Sequence, residues 1–145
     1  MTITVIGAII QEGSKYLIGR RGLNEKSPGL WEFPGGKIED GESHQECLKR
    51  ELKEELNINA EIGELYSEYV YKYPHISYKL YFYCVKNYTG EFRYNAHDKL
   101  EWAIPDQFHQ YNFLPGDEPL MDTIRNDDAC FVFWRNRRVS RRINI

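Results

Sequence analysis

Apolar residues gather first in Ile3 to Ile10, a β-branched run (Ile-Thr-Val-Ile-Gly-Ala-Ile-Ile) that predicts a buried strand. Gln11-Glu12-Gly13-Ser14 reads as a turn, after which Lys15 to Gly19 pairs back as a second strand. Gly22 to Gly29 is polar and contains Pro28, so it reads as a loop. Trp31-Glu32-Phe33 alternates like a short strand that Pro34-Gly35-Gly36 stops. Two longer strands, rich in Tyr and Val, are predicted over Ala60 to Tyr73 and Ser77 to Lys86, with Pro74-His75 turning between them. In Tyr78 to Tyr83 both faces are largely apolar or aromatic, as in a covered central strand. Leu100 to Ile104 offers a further strand and Pro105 to Gln110 a short helix. Pro115-Gly116 breaks the chain before a helix running from Glu118-Pro119 to Arg125.

The clearest helix begins at Ser43. Ser43 and Glu46 have capping-box spacing, and Leu48, Leu52 and Leu56 form one apolar stripe. Asn57 follows, a residue that tolerates the left-handed conformation common just past a helix end. Strands outnumber helices, so the expected class is a mixed α/β (α+β) sandwich.

The chain has 145 residues, enough for one domain with its own core. Nineteen Lys plus Arg against 22 Asp plus Glu give no global bias toward a polyanion, so local charge carries the information. Cys47, Cys84 and Cys130 are few, odd in number and scattered, which predicts free, mostly buried thiols in a reducing compartment. No basic-then-apolar leader or long apolar window occurs, so a cytoplasmic protein is expected, with no membrane span.

The chemistry concentrates on the Ser43 helix. At about 100° per residue, Glu51, Glu54 and Glu55 fall within an arc of roughly 100°. They sit in the last turns, where the helix dipole disfavours negative charge, and like charges at these spacings repel further. Lys49 and Lys53 project mostly away from the arc. A solvated acidic face is the ordinary explanation; a hard divalent cation held by carboxylate oxygens is the functional one. Two neighbours favour the cation. Arg50 can fix the carboxylates through its planar fork, and the glycine-rich turn just upstream lets backbone approach an ion or phosphate.

Gly36, five residues, Glu42, seven residues, then Arg50-Glu51-Leu52-Lys53-Glu54-Glu55-Leu56-Asn57-Ile58 resembles the signature of the Nudix hydrolases, G-x5-E-x7-R-E-U-x-E-E-x-G-U with U a bulky aliphatic residue. Asn57 in place of the late glycine is the one departure. The resemblance implies a Nudix-type α/β/α sandwich, with a mixed sheet and the carboxylate helix packed on it. It implies that Glu51, Glu54 and Glu55, with backbone at Gly35 and Gly36, hold Mg²⁺ (Mn²⁺ as a substitute). Glu42 would support the metal shell and Arg50 would orient the carboxylates, making Glu42, Arg50, Glu51 and Glu54 the catalytic set.

Leu17 to Arg21, Leu30 to Lys37 and Phe113 to Pro119 look like the MutT branch, which takes free nucleoside triphosphates. On that resemblance Arg21 and Lys37 contact phosphates and Asp117 reads the base edge, unless Asp117 merely caps the following helix. An ionised Asp117 accepts only, so bases presenting N–H groups suit it, and 8-oxo-dGTP and CTP or dCTP both stay open. The branch also predicts a Glu before His97 as general base, where this chain has Ala96. His97, Asp98, Lys37 or a signature glutamate would then take that task, unless a metal-activated water needs no dedicated base. The resemblance covers Met1 to about Arg125, so the chain divides into a domain over 1–126 and a C-terminal segment over 127–145. There the apolar Cys130 to Trp134 precedes Arg135, Arg137, Arg138, Arg141 and Arg142, a docked strand with a basic tail or an arm for nucleic acid. A nucleotide-binding sensor with weak turnover and an RNA-acting protein are the competing functions. Tyr69, Tyr71 and Trp134 suit either a homodimer face or a base-stacking pocket of a monomer.

Overall fold

The computed structural model describes residues 1–127, so the Cys130 to Trp134 run and the Arg-rich tail lie outside the described residues. Among the described residues eight strands, two helices and two short 3₁₀ turns follow one another. The strands are β1 (Thr2–Ile9), β2 (Gln11–Glu12), β3 (Lys15–Arg21), β4 (Trp31–Glu32), β5 (Gly35–Lys37), β6 (Asn59–Lys72), β7 (Ser77–Thr89) and β8 (His97–Ala103). Helix α1 (His44–Leu56) stands between β5 and β6. The 3₁₀ turns at Pro105–Gln110 and Pro115–Asp117 lead into α2 (Glu118–Asp127).

Two sheets result. The first has the order β5-β1-β7-β6, with β1 parallel to β7 and the other pairs antiparallel, which is the mixed sheet expected. β7 lies between β1 and β6, which accounts for apolar residues on both faces of Tyr78 to Tyr83. In the second sheet β3 is central, paired antiparallel with β2, β4 and β8. Helix α1 packs its stripe of Leu48, Leu52 and Leu56, all fully buried, against Ile6, Ala8 and Ile10 of the first sheet and its margin. The opposite face of that sheet meets Phe33, Phe108, Phe113, Leu120 and Ile124, so the sheet is covered on both sides.

The glycines after Pro34 do not simply end a strand. Gly35–Lys37 forms β5 against β1, with Gly36 opposite Ile6. A Cβ on Gly35 would sit 2.2 Å from the Ile6 carbonyl oxygen, so glycine is what lets this backbone come so close. Cys84, partly buried on β7, is disulfide-bonded, which corrects the expectation of a free thiol there. Its surroundings are set by pairing with strands distant in the chain, so cysteine spacing carried no sign of the bond. Cys47 is a free, buried thiol, and Cys130 lies outside the described residues. No helix among the described residues is long and apolar enough to cross a membrane.

Because Leu52 is completely enclosed between α1 and the sheet, Leu52→Ala is expected to cost about 2–5 kcal/mol in urea unfolding. A loss well under 1 kcal/mol would show that α1 is not docked through this stripe.

Candidate active site

Helix α1 is aimed by both of its ends. The Ser43 side chain accepts from the Glu46 backbone N–H at 3.1 Å while the Glu46 carboxylate accepts from the Ser43 N–H at 2.9 Å. This reciprocal cap fixes the entry. Asn57 closes the helix at φ 62°, ψ 32°, its N–H reaching the Leu52 and Lys53 carbonyls. The asparagine thus supplies the left-handed turn for which glycine is commoner.

From this helix Arg50 reaches back over the preceding loop. Its Nε and Nη2 donate to the two oxygens of Glu42 at 2.7 and 2.9 Å, a bidentate pair. Nη1 donates to Glu51 at 2.8 Å and Glu54 at 3.3 Å, and Nη2 also reaches the Lys37 carbonyl at 3.2 Å. One guanidinium therefore ties α1 to the loop and to the end of β5. The Arg50 hydrogen bonds, outweighing burial, hold the Glu42 carboxyl down at about 2. Gly36 completes the arrangement, since a Cβ there would fall 2.3 Å from the Glu51 carboxyl carbon. The carboxylate and the β5 backbone are in direct opposition.

Glu51 and Glu55 line a cleft of about 650 Å³ together with Gly35, Gly36 and Lys37. Burial raises the proton affinity of both carboxyls, and for Glu55 the charges of Glu32 and Glu51 raise it further. The Glu55 carboxylate accepts from the Gly35 N–H at 3.3 Å, the single contact that lowers it. Hard carboxylate oxygens lining one cleft suit a divalent cation of the magnesium or calcium type. Among the described residues no three acidic, His or Cys side chains converge as a ready-made cage. Arg50 draws Glu51 and Glu54 to itself, and Glu54 is 60% exposed beyond the cleft wall. The donor set suits a divalent cation, which would compete with Arg50 for Glu51 and Glu54.

Farther along the cleft lie Arg21, Glu32, Asp117 and the aromatic pair Tyr73 and Tyr78. Asp117 is buried, and its Oδ2 accepts from the Phe33 backbone N–H at 2.9 Å. Its carboxyl clasps the strand end at Phe33, which gives it a partner other than the helix that follows. Burial first, then the charge of Glu32, pushes its pKa up to about 8, so at neutral pH the side chain keeps its proton. The acceptor-only Asp117 expected from the sequence is thereby replaced by a carboxylic acid with one O–H to donate. Tyr69 packs behind it, stacked on Phe82 at 6.0 Å with its hydroxyl on the Gly116 carbonyl at 2.6 Å.

Of the residues singled out in the sequence, Gly35, Gly36, Lys37, Glu51, Glu55, Arg21 and Asp117 share this one cleft, while Glu42, Arg50 and Glu54 brace it from outside. His97 is not on a solvated loop and does not line the cleft. It opens β8 with its side chain wholly buried and its Nε2 on Glu32. Asp98 points to the surface and pairs with Arg20 at 2.7 Å. Glu32 is the participant that sequence reasoning missed. The available signal was an acidic residue between the core aromatics Trp31 and Phe33, which is costly to bury without partners.

Glu42 generates a pH prediction. Its folded pKa lies below the ordinary 4.5, so the unfolded chain binds the extra proton. The stabilisation is complete above about 4.5 and is lost as pH falls toward about 2. Melting temperatures of the wild type and Glu42→Gln should therefore differ near neutrality and converge in acid. Parallel curves across that range would show that the Arg50 fork does not stabilise the fold.

The sequence profile of the NUDIX domain matches residues 1–134. The chain is 36% identical over 120 residues to CTP pyrophosphohydrolase of Escherichia coli, covering 83% of this chain and 89% of that one. It is 30% identical over 120 residues to 8-oxo-dGTP diphosphatase of the same organism, covering 83% and 93%. Among solved structures, the E. coli ORF135 protein aligns with a TM-score of 0.75 at 36% identity over 83% of this chain and 86% of that one. The MutT NUDIX hydrolase of Burkholderia pseudomallei shares the fold, with a TM-score of 0.76 at 22% identity over 86% and 98%. With Glu51 and Glu55 of its signature lining the cleft and Glu42 and Arg50 bracing it, the chain belongs to the NUDIX domain family, as a hydrolase of phosphorus-containing acid anhydrides.

Proposed function

We propose that the protein hydrolyses nucleoside triphosphates to the monophosphate and pyrophosphate in a Mg²⁺-dependent reaction, with CTP-type and 8-oxo-dGTP-type nucleotides as the substrate candidates. The observation that carries this reading is a single cleft of about 650 Å³ lined both by the acidic Glu51 and Glu55 and by Asp117 with the aromatic Tyr73. That volume lies within the range of small-molecule sites. The two sets of residues ask for different parts of one ligand, charged phosphates and a flat base.

Glu51, Glu54 and Glu55, with backbone oxygens at Gly35 and Gly36, are the groups that would hold the metal. When bound, Mg²⁺ supplies neutralisation of the diphosphate and acidifies a water for in-line attack. Arg50 and Glu42 keep the carboxylates at the cleft margin, and Arg21 and Lys37 line it where phosphates would pass. With Ala96 in the general-base position, the signature carboxylates at the cleft, Glu51 and Glu55, are the groups at hand to take the water's proton.

Tyr73 and Tyr78, in edge contact at 5.7 Å, offer an aromatic wall for a base. A neutral Asp117 matches an edge with an acceptor beside a donor. Cytosine (N3 and the N4 amino group) and guanine-type bases (O6 and N1–H) both provide one. The likeness to both the CTP and the 8-oxo-dGTP enzymes of E. coli supports these two classes.

A Mg²⁺-dependent panel of CTP, dCTP, 8-oxo-dGTP and the common nucleotides, read as pyrophosphate release, tests the proposal. Glu54→Gln and Glu55→Gln should each lower kcat by more than the about 10–100-fold expected for an outer-shell partner, without unfolding the protein. Full activity in either variant would overturn its assignment. For Asp117, KM of the preferred nucleotide should rise as pH passes about 8 and the donor is lost. Asp117→Asn, which mimics the neutral acid, should remove that pH dependence while keeping the base preference. A wild-type KM that is flat through this range would dismiss the neutral-acid reading.

A further inference from the structure

Behind the cleft wall, three side chains form a connected line. His97 is wholly buried, and its Nε2 lies 2.9 Å from Oε2 of Glu32. The other oxygen of Glu32 accepts from Arg21 Nη1, also at 2.9 Å. The Arg21 Nε donates in turn to the Lys26 carbonyl. Glu32 and Arg21 face the cleft and His97 does not. A fully enclosed imidazole is thus linked through one carboxylate to a guanidinium on the cleft wall.

Two features make this a built arrangement. The Nδ1 of His97 is buried with no partner, so the hydrogen-bond network assigns a lone pair there and the hydrogen to Nε2, which donates to Glu32. The ring also occupies space that a glycine leaves. A Cβ on Gly19 of the neighbouring strand would lie 2.5 Å from the imidazole Cδ2 and 2.8 Å from Cγ. His97 faces Arg21 across the β3–β8 pairing, where the register shifts between Arg20 and Arg21.

The partners of Glu32 matter because its surroundings are acidic. Its charge is felt by Glu55 on one side and Asp117 on the other. The ion pair attracts the carboxylate toward Arg21, but one contact leaves its plane free to turn. With one oxygen pinned by His97, the other is committed to the guanidinium. Arg21 is thereby held from two directions, by Glu32 and by the Lys26 carbonyl. A long, flexible side chain ordered before the ligand arrives loses less entropy on binding a phosphate.

We propose that His97 is a positioning residue for substrate binding: it donates to Glu32, which holds the Arg21 guanidinium in place for the triphosphate. The inference rests on Arg21 as a phosphate contact, and it assigns His97 no direct part in the chemical step.

The test pairs two amide substitutions. The amide nitrogen of Gln reaches the place of Nε2, whereas that of Asn reaches only the place of Nδ1. His97→Asn should raise KM about tenfold, the scale of losing an outer-shell hydrogen bond, with kcat little changed. His97→Gln should recover most of the loss. In a Glu32→Gln background the His97→Asn effect should disappear, since the line is already cut. Equal KM values for folded Asn and Gln variants, or an undiminished effect in the Glu32→Gln background, would overturn the proposal. A second arm needs neither turnover nor mutation. ¹⁵N NMR of the wild type should show the Nε2–H tautomer of His97 and a slowly exchanging Arg21 Nε–H signal. An Nδ1–H tautomer would sink the idea even in a fully active enzyme. Absence of turnover alongside the expected NMR signals would instead count against the hydrolase reading and leave this network standing.

Discussion

Four carboxylates and the end of a strand converge on the Arg50 guanidinium, and the architecture of the site depends on that convergence. Glu42 comes from the loop, Glu51 and Glu54 from the helix, Glu39 from the start of the loop, and the Lys37 carbonyl from β5. Without a cation among them, these groups would repel one another where the helix dipole already disfavours negative charge. Arg suits the task because its planar fork binds one carboxylate with two parallel bonds and still has a nitrogen for others. Lysine offers a single point of charge and could not set the angle between loop and helix. Glu55 lies outside this embrace and lines the cleft, with one oxygen accepting from the Gly35 N–H.

The elements that rest on local rules were legible in the sequence. The capping box at Ser43, the leucine stripe and the left-handed Asn57 use interactions spanning a few residues, and α1 begins and ends where they predict. The long strands β6 and β7 were announced by β-branched and aromatic residues. β7 runs on to Thr89, beyond the predicted Lys86, because its pairing with β6 continues across an irregular stretch near Gly63 that no local pattern marks. β5 was hidden because glycines read as a break unless one knows that another backbone lies 2.2 Å from where a Cβ would be. β8 starts three residues earlier than the apolar pattern suggested, since His97 is buried by its partners and not by its own hydropathy.

The same division holds in the site. Glu42, Arg50 and the helix glutamates were readable because their spacing is fixed by one helix and one short loop. Glu32 and the environment of Asp117 were not, because both depend on contacts across the chain: Glu32 with Arg21 and His97, and Asp117 with Phe33. Burial, which sequence conveys poorly for single polar residues, turns Asp117 from an acceptor into a donor. An identical residue on the surface would present the opposite hydrogen-bonding face to a base.

The hydrogen bond from the Phe33 backbone to Asp117 has a mechanical consequence. Phe33 stands one residue after Glu32 and two before Gly35, whose own N–H is held by Glu55. Pro34, between them, is tethered to β1 through its carbonyl. One short stretch of backbone is thus grasped at one end by Asp117 and at the other by Glu55, two carboxyls of the same cleft. With Pro34 anchored to β1 in the middle, the stretch is braced at three points, so the spacing between the two carboxyls is set by backbone with little freedom to shift. Part of the cleft's shape is thereby built into a few residues of main chain.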